Sequence, residues 1–111
     1  MECKCKQDHL NFSGTKISNI KDADNDFDDA LFTKCNQCQS VWIVIIFEAP
    51  HYSDSTHWYT ALLHDQFDLE KFRGTRENVN SIFEKSKFSF RKGIARGSSA
   101  ERFSGVPKRL V

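Results

Sequence analysis

Cys35-Asn36-Gln37-Cys38-Gln39-Ser40-Val41-Trp42-Ile43-Val44-Ile45-Ile46-Phe47 is the stretch that sets the architecture. Its second half is apolar at both parities and rich in β-branched residues. That is the pattern of a strand covered on both faces, at the centre of a sheet. Its first half is a C-x-x-C knuckle running directly into that strand. A redox C-x-x-C belongs at a helix start inside a βαβ pattern, which this context does not provide.

Working outward, residues 30–34 read as a short strand entering the knuckle. Further back, Leu10 and Phe12 alternate as in a strand, with Ser13-Gly14 as a turn signal. After Phe47, a polar connection broken by Pro50 leads to strand character over His57 to Leu63, with Trp58, Tyr59, Leu62 and Leu63. Two strands this close in sequence are most simply antiparallel neighbours. From Asp68 the pattern changes: Leu69, Phe72, Val79, Ile82 and Phe83 approximate one helical face, and Thr75 is a good N-cap. The expectation is one broken helix from 68 or a helix over about 75–86, then a last strand at Phe88 and Phe90. Beyond Gly93 the chain is basic and contains Gly and Ser, with Phe103 as a possible anchor. The predicted fold is α+β: a small antiparallel sheet with a zinc-ribbon-like knuckle, one C-terminal helix and a basic tail. Residues 1–92 form the single domain in this reading, and 93–111 a tail packed loosely or disordered.

The four cysteines come as two close pairs, Cys3-Lys4-Cys5 and Cys35-Asn36-Gln37-Cys38. In a reducing cytosol such thiols serve better as soft metal ligands than as disulfides. Zinc takes four of them in a tetrahedron, so Cys3, Cys5, Cys35 and Cys38 are the candidate ligands of one structural zinc ion. The first pair is tighter than the usual spacing, and Gln39 stands where a knuckle commonly has Gly. His9 could replace one of the cysteines. Buried unligated cysteines are the competing reading, but Lys4, Lys6, Asn36 and Gln37 between and beside them are not core residues.

The 111 residues carry a net charge of +1 that hides a strong asymmetry. Residues 1–70 hold five basic and twelve acidic side chains, and residues 71–111 hold eleven basic and three acidic. Either the halves complement each other within the fold, or one surface meets a charged partner. The acidic side centres on Asp22-Ala23-Asp24-Asn25-Asp26-Phe27-Asp28-Asp29. It is not a calcium loop, because Phe27 occupies the position that requires Gly and Thr33 the position that requires Glu. Val41 to Phe47, the longest apolar run, is far too short to span a membrane. The charged N-terminus offers no apolar signal region, so a cytoplasmic protein is expected.

No P-loop, dinucleotide fingerprint, serine elbow or HExxH is present, and no nucleophile accompanies His51, His57 and His64, so an enzyme is not expected. Basic residues from Lys85 to Arg109 interleave with Phe88, Phe90 and Phe103. Such a surface could track a nucleic-acid backbone and stack bases. The pI of about 7.7 is low for a dedicated binder. A zinc-ribbon module binding nucleic acid through this C-terminal third is the alternative function.

The segment from Phe32 through Cys35, Cys38 and Trp42 to the His51-bearing loop resembles a family of small bacterial immunity proteins. These accompany polymorphic or contact-dependent growth-inhibition toxins. The family pattern is a strand, a C-x-x-C-G knuckle, a Trp-bearing strand and a polar loop with His. This chain departs from it at Gln39 and at Tyr52-Ser53-Asp54, where the loop is often Gly-rich. The resemblance implies a non-catalytic inhibitor that binds one cognate toxin, commonly a nuclease. Asp22, Asp24, Asp26, Asp28 and Asp29 are then the candidate partner-binding residues, offering carboxylates to a cleft shaped for phosphate.

Overall fold

The computed structural model describes residues 14–48, 57–92 and 100–108. Six strands form one antiparallel sheet in sequence order: β1 (Gly14–Asn19), β2 (Asp29–Cys35), β3 (Val41–Phe47), β4 (His57–Leu62), β5 (Ser89–Lys92) and β6 (Ala100–Arg102). A single helix, α1 (Arg76–Lys85), lies between β4 and β5 in the chain. The expected α+β class with a central, doubly covered strand is what the structure shows. No described helix is long and apolar enough to cross a membrane.

β3 owes its position to its two faces. Ile43, Ile45 and Phe47 join Ala30, Phe32, Tyr59 and Ala61 in the main core, which Val79 and Phe83 of α1 close from above. Trp42 points to the other face and packs with Cys35 and Phe90 in a smaller cluster flanked by Leu62 and Phe88. The register explains the split: Ile43 pairs with Phe32 and Ala61, and Ile45 with Ala30 and Tyr59, so one parity of each strand shares the helix side. Thr60, fully buried on the second face, satisfies its hydroxyl by donating to the Ile43 carbonyl at 2.8 Å.

The helix starts where the sequence predicts. Thr75 Oγ1 accepts from the Asn78 N–H at 3.3 Å, and the Ser86 N–H closes the C-terminal turn on the Ile82 carbonyl at 2.9 Å. Ten residues are marginal as an isolated helix, so burial of Val79 and Phe83 carries it. Of the two expected forms, the helix over about 75–86 is the one that occurs, and the broken helix from 68 is not. Residues 64–72 form turns instead, with Asp68 Oδ1 accepting from the Glu70 and Lys71 N–H groups, while Phe67, Leu69 and Phe72 still pack on the core. Gly74 and the Thr75 cap together set the boundary.

Residues 100–108 fall in the stretch read from sequence as a tail, and they belong to the fold. β6 pairs with β5, and Phe103 then lies 5.0 Å from the Tyr59 ring. Pro107 is fully buried. The Lys108 carbonyl accepts from the Tyr59 hydroxyl at 3.0 Å and contacts His57 Nε2 at 3.3 Å, while Arg76 Nη1 donates to the Pro107 carbonyl at 3.3 Å. The segment thus straps β4 to the start of α1. Residues 93–99 and 109–111 of that tail lie outside the described residues.

Burial raises the Tyr59 pKa above its ordinary value near 10, against the lowering pull of Arg91 and of the hydrogen bond to Lys108. Tyr59 therefore favours the folded state below about pH 10, and that contribution is lost as pH climbs through the higher folded-state pKa. Tyr59→Phe is expected to cost about 1 kcal/mol at neutral pH, from loss of the bond to Lys108. It should also flatten the alkaline decline of stability, as thermal melts from neutral pH to strongly alkaline buffer would record.

Candidate functional site

The acidic run is a rigid turn between β1 and β2. Gly74 anchors it from the far side: its N–H donates to the Lys21 carbonyl at 2.8 Å, and the Asp24 N–H returns a bond to the Gly74 carbonyl at 3.0 Å. The Ile20 N–H donates to Ala30 at 2.9 Å, and the Asp28 N–H to Ile46 at 3.0 Å, so both ends are tied into the sheet. Phe27 plugs the loop into the core, edge-on to Phe47 at 5.7 Å.

All five aspartates have intramolecular partners. Asp22, with φ of 55°, pairs with Arg73 Nε at 3.1 Å, yet its side chain is 74% exposed. Asp24 Oδ1 accepts from the Asp26 N–H at 2.9 Å, an Asx turn. Asp26 Oδ2 takes a 2.6 Å bond from Arg76 Nη2, whose guanidinium also lies over the Phe27 ring. Asp28 Oδ2 accepts from the Glu48 N–H at 2.6 Å, and Asp29 Oδ1 from the Ala30 N–H at 3.0 Å. Asp22, Asp28, Asp29 and Glu48 remain exposed, and among the described residues Asp24 and Asp29 make no ion pair. The loop is therefore an acidic surface with fixed carboxylates, not a freely solvated one.

Sequence reasoning missed Gly74, Arg73 and Arg76. The signal was present as two acids four apart, Asp22 and Asp26, matched by two bases three apart some fifty residues later. Only a folded chain joins them. An added Cβ at Gly74 would stand 2.7 Å from Ile20 Cγ2 and 3.0 Å from the Ala23 Cα. Gly74→Ala is thus expected to cost about 1–3 kcal/mol by overpacking against backbone. Chemical denaturation would measure the loss, and amide exchange at Asp24 and at position 74 itself should quicken first.

The knuckle turn is tight. The Cys35 N–H donates to the Ser40 carbonyl at 2.9 Å, the Gln39 N–H to the Cys35 carbonyl at 3.0 Å, and the Gln37 N–H to Cys35 Sγ at 3.4 Å. Gln39 has φ of 67°, so it fills the left-handed position that favours Gly and explains why Gly is common there. Cys35 is fully buried and Cys38 exposed, with Cys38 Sγ 3.0 Å from Ser40 Oγ. Gly14 pairs with Cys35 across β1 and β2, so the chain enters the sheet beside the knuckle. Cys3, Cys5 and His9 lie outside the described residues, as does His51. Among the described residues no three His, Cys, Asp or Glu side chains converge as a metal site.

The basic and aromatic residues of the C-terminal third are largely engaged with one another. Arg102 lies over Phe88 at 5.0 Å and Phe90 at 5.5 Å, and Phe90 is fully buried. Arg91 pairs with Glu101 at 2.6 Å and covers Phe103. Base stacking needs an open ring face, and Phe90 offers none. His57 is buried and stacked on Phe47 at 5.2 Å, while His64 is exposed against the edge of Phe67, so the two histidines serve different places. No protein-family model, curated protein or solved structure matches the chain.

Proposed function

We propose that the chain is an immunity protein that binds and neutralises one cognate bacterial toxin, a nuclease, in the cytoplasm and without catalysis of its own. The observation that carries this reading is the fixed acidic turn between β1 and β2. Exposed carboxylates at Asp22, Asp28 and Asp29 are held by backbone and arginine contacts before any partner arrives. Such preorganisation removes part of the ordering cost of association. An acidic rim also suits the basic cleft of a nuclease and speeds encounter with it. The same reading assigns the Cys35–Cys38 turn to one structural zinc, with Cys3 and Cys5 completing the ligand set. The N–H to sulfur bond at Cys35 and the left-handed Gln39 suit that role.

The test is to isolate the chain from its own cells under low salt, with nuclease added, and weigh it by native mass spectrometry. A complex with one basic polypeptide is expected, and that polypeptide alone should arrest growth unless the chain is co-expressed. The combined change Asp22→Asn, Asp24→Asn, Asp28→Asn and Asp29→Asn should weaken the complex by roughly a hundredfold, mostly through slower association. Equal affinity of that variant at low salt would remove the acidic turn from the interface. Recovery of the chain bound to nucleic acid, with a steep salt dependence, would overturn the inhibitor reading.

A further inference from the structure

The end of β4, the 64–73 loop and one side of α1 border a solvent-open cavity of about 690 Å³. Pockets that take small molecules measure roughly 300–1,000 Å³. Asn78, Ser81, Ile82 and Lys85 give one wall, on the side of α1 turned from the buried Val79 and Phe83. Phe67 and Phe72, their centroids 5.3 Å apart, contribute apolar surface and are only partly buried. Lys71, Lys85 and Lys87 also line the cavity, and among the described residues no ion pair engages any of them. Arg73, a further lining residue, is already taken by Asp22, and Asp65 is the one carboxylate in the wall.

Two costs meet in this cavity when it is empty. Apolar surface facing water costs about 25 cal/mol per Å². Three lysines around one concavity repel each other, and Asp65 together with about half a unit of negative charge at the end of α1 offsets only part of their charge. A neutral hydrophobe would relieve the first cost alone, and inorganic phosphate the second alone. We propose that the cavity between α1 and the 64–73 loop is a binding site for a small organic anion, one that joins an apolar body to a carboxylate, sulfonate or phosphate group. The proposal does not rest on the toxin-binding reading, although Arg73 links the cavity wall to Asp22 of the acidic turn.

Anilinonaphthalene sulfonate is the probe, titrated into the full folded chain and followed by its emission. Saturable one-to-one binding is expected, displaced by octanoate but not by equal octanol or inorganic phosphate. Lys71→Glu and Lys85→Glu should each weaken it by roughly fivefold. Lys16→Glu on β1 should leave it within about twofold, as should either cavity variant for the neutral probe phenylnaphthylamine. All these lysines are exposed, so unchanged thermal transitions would certify the fold of each variant. Absence of saturable binding, displacement by octanol as readily as by octanoate, or equal weakening by Lys16→Glu would each overturn the proposal.

Discussion

Phe47→Ala is expected to remove about 3–5 kcal/mol of stability, the range for truncating a buried aromatic ring. Phe47 is fully buried at the end of β3. Its ring lies 5.2 Å from His57 in a stacked arrangement and edge-on to Phe27 at 5.7 Å and Tyr59 at 5.9 Å. Three neighbours from two different segments, His57 and Tyr59 on β4 and Phe27 in the β1–β2 turn, cannot all collapse into the void, because β3 and β4 are held by their ladder and Phe27 by its loop. Against a total of about 5–15 kcal/mol for a domain of this size, the variant should be near the edge of folding. Urea denaturation measures it directly. A loss below about 1 kcal/mol would mean that Phe27 and Tyr59 repack, and that the aromatic cluster is not the hub of the core.

That variant should affect more than stability, because the core and the acidic turn are one mechanical unit. Phe27 belongs to the turn and rests on Phe47, and Arg76 at the start of α1 covers Phe27 while binding Asp26. The half-buried Asp26–Arg76 pair and the exposed Asp22–Arg73 pair are each worth about 1 kcal/mol or less. They cannot hold the loop alone. The Gly74 backbone bonds and the buried Phe27 ring do most of that, and the ion pairs aim the carboxylates. In Phe47→Ala any remaining folded protein should therefore bind its partner more weakly than the wild type, without loss of a single acidic residue.

The parts of this fold that were legible in the sequence are those where local pattern and tertiary environment agree. Val41 to Phe47 is buried on both faces, as its uninterrupted apolar run requires, and Thr75 caps α1 where Val79 and Phe83 begin their spacing. β1 was illegible because all six of its residues are exposed, so no alternation exists to read, and a bulge near Ile17 breaks the register further. β6 has three residues and draws its order from β5 and from the strap that ends at Lys108. In the 64–72 segment, Phe67, Leu69 and Phe72 imitate a helical face, yet they reach the core from turns. The acidic turn was located but its rigidity was not, since its anchors lie some fifty residues away. The anion cavity likewise arises only when the end of β4 and α1 are brought side by side.

The knuckle gives the sharpest separation between a structural metal and an ordinary turn, and Cys38 is the position that decides it. Cys35 is fully buried beside Trp42 and Phe90, so its replacement is costly with or without zinc. Cys38 is exposed, and in a metal-free turn Cys38→Ala would change stability by no more than about 0.5 kcal/mol. A zinc ligand behaves otherwise. Free zinc at a thousand times its dissociation constant stabilises the folded state by about 4 kcal/mol, and losing one of four ligands forfeits most of that. The chain purified without chelator is expected to carry one zinc by native mass spectrometry. Cys38→Ala, Cys3→Ala and Cys5→Ala should each lose the metal and several kcal/mol together, and a strong chelator should lower the wild type to the same level. Coordination also needs thiolates, so the metal should leave as the pH falls, with stability dropping in step. A zinc-free chain in which Cys38→Ala is silent would leave the Gln37 to Cys35 bond and the left-handed Gln39 as the geometry of a turn alone.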